Sequence, residues 1–202
     1  MHGLVFRSIQ CFVQDTYGRA IWAKIACRVG IEDCGFESML TYEDPLLNGL
    51  IEAASLMLDK PQEMLLEDVG TYLVSHPNTE AIRRLLRFGG QNFSEFLLSL
   101  DDLPDRARLA VPDLLLPKLE LLGGECGHYE LRVGGPEPRF AFVLLGILRA
   151  MADDFGTLAF LELAGTAGDD AVVRVNLLDT AFAEGRSFSL ARPNGFTQES
   201  RT

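Results

Sequence analysis

Apolar residues recur at helical spacing through the first half of the chain. Asp44 followed by Pro45 predicts a helix N-terminus with Asp44 as the N-cap, because proline is tolerated in the first turn. The apolar face that follows comprises Leu47, Leu50, Ile51, Ala54, Met57 and Leu58. Residues 59–61, Asp-Lys-Pro, predict a break before a second face made of Leu65, Val69, Tyr72 and Leu73. A short helix carrying Ile82, Leu85 and Leu86 is predicted to end at the glycine pair 89–90.

The next predicted helix meets a proline where its apolar face would continue. That face comprises Phe93, Phe96, Leu97 and Leu100. One further turn along it reaches Pro104, which lacks an N–H donor and clashes with the preceding turn of a helix. We therefore predict that this helix ends near Asp102 and that a short helix restarts at Pro104.

From Pro117 onward the pattern favours strands. Residues 118–122 and 128–133 predict a hairpin across a glycine-rich turn, and residues 158–163 and 171–178 predict a second pair. Between the pairs lies a predicted helix with the face Phe140, Val143, Leu144, Ile147 and Met151. A last short strand is predicted at 188–190, before a polar tail. This order predicts an α+β fold with a four-stranded antiparallel sheet and one packed helix.

Length and composition favour a single globular domain. The chain has 202 residues, of which 48% are hydrophobic. We predict one domain over 1–185, with an N-terminal helical part at 1–60 and helices plus sheet at 61–185, and an edge strand and flexible tail at 186–202. The net charge of −11 argues against nucleic-acid partners and anionic membrane surfaces.

The most apolar segment, 140–152, is interrupted by Arg149 and is too short to span a bilayer. Together with an N-terminus that lacks a secretory pattern, this predicts a cytoplasmic protein.

The sequence offers no familiar catalytic or metal motif. It contains no Gly-x-Ser-x-Gly, no His-Glu-x-x-His, no phosphate-binding glycine loop and no Cys-x-x-Cys pair among its four cysteines. We therefore predict neither an enzyme nor a metal cluster. The three histidines, which are the remaining candidates for a metal ligand, are His2, His76 and His128.

Several strings, in order and spacing, resemble the heme-nitric-oxide/oxygen-binding (H-NOX) family, which includes the heme domain of soluble guanylate cyclase. Residues 1–5, 15–18 and Trp22 resemble the opening helix and turn of the family. Residues 90–97, GQNFSEFL, and 100–103, LDDL, resemble its signalling helix. Residues 142–148 and 155–157 resemble the helix between its strand pairs. The resemblance implies an H-NOX-like fold and a heme pocket.

The family's axial histidine is missing at the matching position. In relatives a histidine follows the Leu-Asp-x-Leu string and binds ferrous iron through a neutral imidazole. Here that position is Pro104, whose side chain has no donor atom.

The second family signature, a Tyr-x-Ser-x-Arg string that binds the heme propionates, is also missing. The corresponding stretch, 128–133, keeps Tyr129 and Arg132 at a different spacing and adds Glu130, which would repel a propionate. The distal tyrosine of oxygen-binding relatives corresponds to Val143, which favours nitric oxide or carbon monoxide over oxygen if iron binds.

The resemblance implies a stand-alone sensory domain that acts in trans on a signalling protein of the histidine kinase or diguanylate cyclase type. With both anchors missing, we predict that family-type heme ligation is lost, and heme stays a cofactor that only the resemblance implies. Two alternatives stay open: a nitric oxide sensor with another axial ligand, for which His76 is the first choice, or a binder of another small apolar ligand. The residues predicted to line the pocket are Val5, Leu73, Leu97, Leu100, Pro104, Val143, Leu144 and Ile147.

Overall fold

The computed structural model describes residues 1–31, 35–135, 137–167 and 170–188. Within these ranges the helices are α1 (Gly3–Tyr17), α2 (Arg19–Arg28), α3 (Asp44–Leu58), α4 (Gln62–Ser75), α5 (Glu80–Arg87), α6 (Phe93–Leu98), α7 (Leu103–Ala110) and α8 (Phe140–Phe155). The strands are β1 (Lys118–Gly123), β2 (His128–Gly134), β3 (Leu158–Ala167) and β4 (Asp170–Asp179). Single 3-10 turns occupy Pro77–Thr79 and Glu125–Gly127.

The strands form one antiparallel sheet in the order β1-β2-β4-β3. Side chains alternate between its faces, as on β2, where Tyr129, Leu131 and Val133 are buried and His128 and Glu130 are exposed. The buried face packs against helices. One of them is α8, which connects the hairpin β1–β2 to the hairpin β3–β4 in the chain. The predicted α+β fold with a four-stranded antiparallel sheet is confirmed.

Two clusters of buried apolar side chains make up the core. One joins α1, α2, α3 and the first part of α4, and the other joins α6, α8 and the inner face of the sheet. Leu73 on α4 and Val143 on α8 pack against both clusters. The contact between these two helices therefore connects the helical half of the molecule to the sheet. The predicted domain bounds stay predictions.

Two glycines allow α4 and α8 to approach each other closely. A Cβ atom on Gly70 would lie 2.0 Å from the carbonyl oxygen of Val143, and one on Gly146 would lie 2.0 Å from that of Glu67. No side chain fits at such distances, so backbone packs on backbone where the helices cross. Arg149 of α8 pairs with Glu67 beside this crossing and also donates to the carbonyl oxygen of Leu161 on β3, at 3.2 Å.

Two helix ends differ from the predictions. Helix α3 begins at Asp44, but its N-cap is Glu43, and Asp44 Oδ1 instead accepts from the N-terminal ammonium group of Met1 at 2.8 Å. The predicted capping role of Asp44 was therefore wrong by one residue: Asp44 is the first helical residue, and its carboxylate pairs with Met1 and caps no backbone N–H. Helix α6 ends at Leu98, four residues before the predicted end near Asp102.

The predicted helix restart at Pro104 is confirmed within one residue, since α7 starts at Leu103. The predicted strand at 188–190 falls mostly outside the described residues, and so does the predicted tail. None of the helices in the described part of the chain is both long and apolar enough to cross a membrane.

We expect Gly70→Ala to lower the free energy of unfolding by about 3 kcal/mol, because the new methyl group forces α4 away from α8. Gly49→Ala on α3 is the matched control, since its Cβ would meet nothing closer than Val29 Cγ1 at 3.8 Å. The control should be stabilised slightly, by up to about 1 kcal/mol. Urea unfolding of both variants measures the difference, and equal stability would contradict the close crossing.

Candidate functional site

Helix α6 begins with a reciprocal capping arrangement. Asn92 Oδ1 accepts from the backbone N–H of Glu95 at 2.9 Å, and the Glu95 carboxylate accepts from the N–H of Gln91 at 2.8 Å. The helix then buries Phe93, Phe96 and Leu97 against the sheet-side cluster. Capping and burial together fix both the start of α6 and the face that it turns inward.

Side chains stabilise the break between α6 and α7. The Ser99 hydroxyl donates to the carbonyl oxygen of Phe96 at 2.8 Å, and Arg106 Nη2 donates to the carbonyl oxygen of Ser99 at 3.0 Å. Asp101 Oδ1 accepts from the N–H of Leu121 on the edge strand β1 at 2.8 Å. The orphan carbonyls that would otherwise continue the helix are thereby satisfied, which explains its early end.

Pro104 lies in the first turn of α7, where its missing N–H removes no hydrogen bond. The backbone around it is already paired, since the N–H of Leu103 donates to Leu100 and that of Arg106 donates to Asp102, both at 3.0 Å. Pro104 itself is half-buried. The proline is thus compatible with a second short helix and incompatible with a continuous one through this point.

Seven of the eight predicted lining residues, all except Pro104, divide between the two clusters. Leu97, Leu100, Leu144 and Ile147 belong to the sheet-side cluster, where the first three have no exposed surface. Leu73 and Val143 touch both clusters, and Val5 packs against the N-terminal one. Neither of the two clefts described below is lined by any of the eight. The role of these residues as pocket lining stays a prediction.

The strand that matches the propionate signature places its polar residues on opposite faces. Tyr129 is buried on the inner face of β2, at 8% exposure, whereas Arg132 alternates with it on the outer face. Glu130, also on the outer face, lies 3.4 Å from Arg174 Nε on β4. Tyr129 and Arg132 therefore cannot converge on one carboxylate.

His76 lies at the end of α4 in a small polar network. Its ring stacks on Tyr72 with centroids 4.8 Å apart, and its Nδ1 accepts from the N–H of Asn78 at 3.3 Å. Asp15 Oδ2 accepts from the Tyr72 hydroxyl at 2.6 Å and from the Asn78 side chain at 2.9 Å. The network closes one side of an open cleft of about 370 Å³ that also includes Tyr17, Lys60 and Asp68.

Hydrogen bonds and burial shift two pKa values in this network. The hydrogen bond from Tyr72 holds the pKa of Asp15 below its ordinary value, against a smaller opposing effect of burial. Burial first, and the bond to Asp15 second, raise the pKa of Tyr72. Asp15 is therefore a charged acceptor and Tyr72 a neutral donor at neutral pH.

The other two histidines lie elsewhere. His2 Nδ1 accepts from the N–H of Leu4 at 3.2 Å and caps α1. His128 Nδ1 lies 2.7 Å from Asn176 Oδ1 on the outer sheet face, beside a second cleft of about 350 Å³.

A buried carboxylate that sequence reasoning missed lies at the end of α8. Asp154 is 1% exposed and lies 2.9 Å from Arg83 Nε and 3.4 Å from Arg87 Nη1. The sequence signal was an acidic pair, Asp153 and Asp154, in the last turn of a mostly apolar helix. Its arginine partners lie some seventy positions away, so the pairing could not be read from spacing.

A family model described as haem-NO-binding, HNOB, matches residues 2–161. The chain belongs to this family. The matched range covers α1 through α8 and the first residues of β3, so it includes the break between α6 and α7 and Pro104.

The HNOB domain is similar to parts of larger curated proteins. It is 26% identical over 121 residues to soluble guanylate cyclase 89Da of Drosophila melanogaster, covering 60% of this chain and 18% of that protein. It is 26% identical over 168 residues to soluble guanylate cyclase gcy-31 of Caenorhabditis elegans, covering 81% of this chain and 23% of that protein. The chain thus spans less than a quarter of either relative.

Solved structures share the fold of this HNOB domain. The Fe(II) unliganded H-NOX protein from K. algicida superposes with a TM-score of 0.76 at 19% identity, covering 91% of this chain and 100% of that chain. The H-NOX protein from S. oneidensis in the Fe(II)NO ligation state superposes with a TM-score of 0.72 at 18% identity, covering 89% of this chain and 100% of that chain. At these identities the similarity establishes the H-NOX fold.

The family description implies heme, and the predicted pocket residues do not fit a heme held through iron. None of the eight has a side-chain nitrogen, oxygen or sulfur atom, and this includes Pro104, the residue that we predict at the axial position. Leu97, Leu100 and Leu144 are fully buried, so a porphyrin between them would require close-packed side chains to separate. Tyr129 and Arg132 on opposite sheet faces supply no joint site for a propionate.

We expect Asp15→Asn to lower the free energy of unfolding at neutral pH by about 1 kcal/mol, because Tyr72 and Asn78 lose a charged acceptor. The folded-state pKa of Asp15 lies below its ordinary value of 3.8, so this stabilisation is complete above 3.8 and disappears as the pH falls through the folded-state pKa. Urea unfolding of the wild type and of the variant, at pH values from neutral to below 3.8, measures this stabilisation. The exposed Asp113→Asn is a control with the same change in charge. A difference for Asp15→Asn that does not vary with pH would contradict the assignment.

Proposed function

We propose that this HNOB domain is a sensory and regulatory module that does not hold heme through an iron–histidine bond and that signals by contact with a partner protein in trans. The observation that carries the proposal is Pro104 in the first turn of α7. Iron needs a lone pair at the end of a positioned side chain, and proline offers none.

The break between α6 and α7 supports the proposal. A helix that transmits movement of an axial ligand must be continuous from the ligand to the surface that it moves. Here Ser99, Asp101 and Arg106 hold the chain in a turn before Pro104 is reached. A pull at position 104 would therefore have to pass through this turn and could not travel along one continuous helix.

The alternative that His76 binds iron has less support. His76 Nδ1 accepts from the N–H of Asn78 at 3.3 Å and lies 3.7 Å from Asp15 Oδ2, so the ring belongs to the polar network at the end of α4. None of the predicted pocket residues lines the cleft beside it. The apolar-ligand alternative has less support too, because seven of the eight predicted lining residues pack in or against the core clusters.

Exposed leucines on the broken helix support the protein contact. Leu98 at the end of α6 is 62% exposed and Leu109 on α7 is 87% exposed. A second protein that buried these two side chains would gain hydrophobic stabilisation, and we propose that the partner contact includes them.

We expect heme titrated into the wild-type protein to give no stoichiometric Soret band, because no side chain holds the iron. Pro104→His alone should also fail to take up heme tightly, because the propionate site is missing as well. Absorption spectroscopy during the titration measures both.

Two results would contradict this account of heme. Tight 1:1 uptake by the wild type that is lost in His76→Ala, with the far-ultraviolet circular dichroism unchanged, would establish His76 as the ligand. Tight uptake by Pro104→His would show that the stretch 128–133 binds propionates after all.

We expect the heme-free domain to change the rate of autophosphorylation of a histidine kinase, or of product formation by a diguanylate cyclase, when the two are mixed. Leu98→Ala with Leu109→Ala should weaken the effect about tenfold, and Leu56→Ala, a leucine on α3 that is 58% exposed, should not. Enzyme assays over a range of domain concentrations measure it. An effect that requires heme and nitric oxide would overturn the proposal.

A further inference from the structure

After β4, residues 181–188 fold back over the end of α8; we call this segment the C-terminal strap. The N–H of Ala183 donates to the carbonyl oxygen of Gly156 at 3.0 Å, and the N–H of Arg186 donates to that of Asp154 at 2.9 Å. Gly156 has φ +72° and lies so close to Ala183 that a Cβ would be 2.1 Å from its carbonyl oxygen. The strap is therefore held by specific backbone contacts.

A buried carboxylate links the strap to α5. Asp154 Oδ1 lies 2.9 Å from Arg83 Nε and 3.8 Å from Arg186 Nε of the strap. Arg83 Nη2 also donates to the carbonyl oxygen of Ser187 at 3.2 Å. Arg83 therefore binds the Asp154 carboxylate of α8 and a backbone carbonyl of the strap with one guanidinium group.

An aromatic stack continues from the strap to α6. The guanidinium carbon of Arg87 lies 5.0 Å from the ring centroid of Phe188 and 4.0 Å from that of Phe155. The Phe155 ring in turn lies 6.0 Å from Phe96 and 6.3 Å from Phe93, both on α6. These spacings are within the range of cation–π and aromatic pair contacts.

We propose that the C-terminal strap is an output element that responds to the position of α6 through the stack Phe188–Arg87–Phe155–Phe96. A movement of α6 displaces the Phe155 ring from the Arg87 guanidinium group. The guanidinium group then loses the contact that positions it, and Phe188 of the strap loses its packing partner. The inference goes beyond the proposed function, since it depends on neither heme nor a partner protein. The coupling free energy between two sites is the same in both directions. A change that weakens docking of the strap must therefore also weaken the packing of α6 by that coupling free energy.

Hydrogen exchange at Ala183 and Arg186 tests the forward coupling, because their amides make the two backbone bonds of the docked strap. We expect Phe96→Leu in the full chain to speed exchange at both amides about tenfold. Phe6→Leu is the matched control, since Phe6 is equally buried, at 0% exposure, but belongs to the N-terminal cluster. Equal acceleration by both variants, or none by Phe96→Leu, would overturn the proposal.

If Phe96→Leu unfolds the protein, the half-buried Phe155→Leu replaces it with the same expected result.

The reverse direction separates a coupled strap from a passive one. Arg87→Lys keeps the charge and loses the planar group that stacks between the two rings. It should speed exchange at the strap and also at Phe96 and Ser99, whose amides close the turns of α6. Arg84→Lys, at a neighbouring arginine paired with Glu80, should change neither. Faster exchange at the strap amides with unchanged exchange at Phe96 and Ser99 would show that Arg87 holds the strap only locally, and this result would overturn the coupling.

Discussion

The close crossing of α4 and α8 is the contact on which the rest of the structure depends. Gly70 and Gly146 let the two backbones touch, and Leu73 and Val143 beside them pack against both core clusters. Helix α8 also covers the inner face of the sheet. Helix α8 thus packs against both the helical half and the sheet. Its position therefore determines where α6 can pack and which side chains meet between α6 and α8.

The side chains that meet between α6 and α8 are apolar and close-packed. Leu97 and Leu100 from the broken helix and Leu144 from α8 lie in one cluster without exposed surface. The turn after α6 and the proline at 104 are consistent with this packing, because side-chain hydrogen bonds pair the backbone where α6 ends. The fold of the HNOB family is therefore compatible with a proline at position 104 and with close-packed leucines between α6 and α8.

Periodicity predicted most of this architecture, since core contacts repeat along each element. The break at 59–61, the four strands and the restart near Pro104 follow from local sequence. The end of α6 at Leu98 does not, because it depends on Arg106 reaching back to Ser99. The opposite faces of Tyr129 and Arg132 were readable, since an odd separation on a strand reverses the side-chain direction. The burial of Asp154 was not, because its partners come from α5 and the strap.

The most direct test of the central claim is a methyl nuclear magnetic resonance spectrum of leucine-labelled protein, recorded with and without excess heme. If the space between α6 and α8 is filled by leucine side chains, the signals of Leu97, Leu100 and Leu144 will keep their positions and their mutual contacts. Large ring-current or paramagnetic shifts of these three signals would place a porphyrin between the helices and contradict the account.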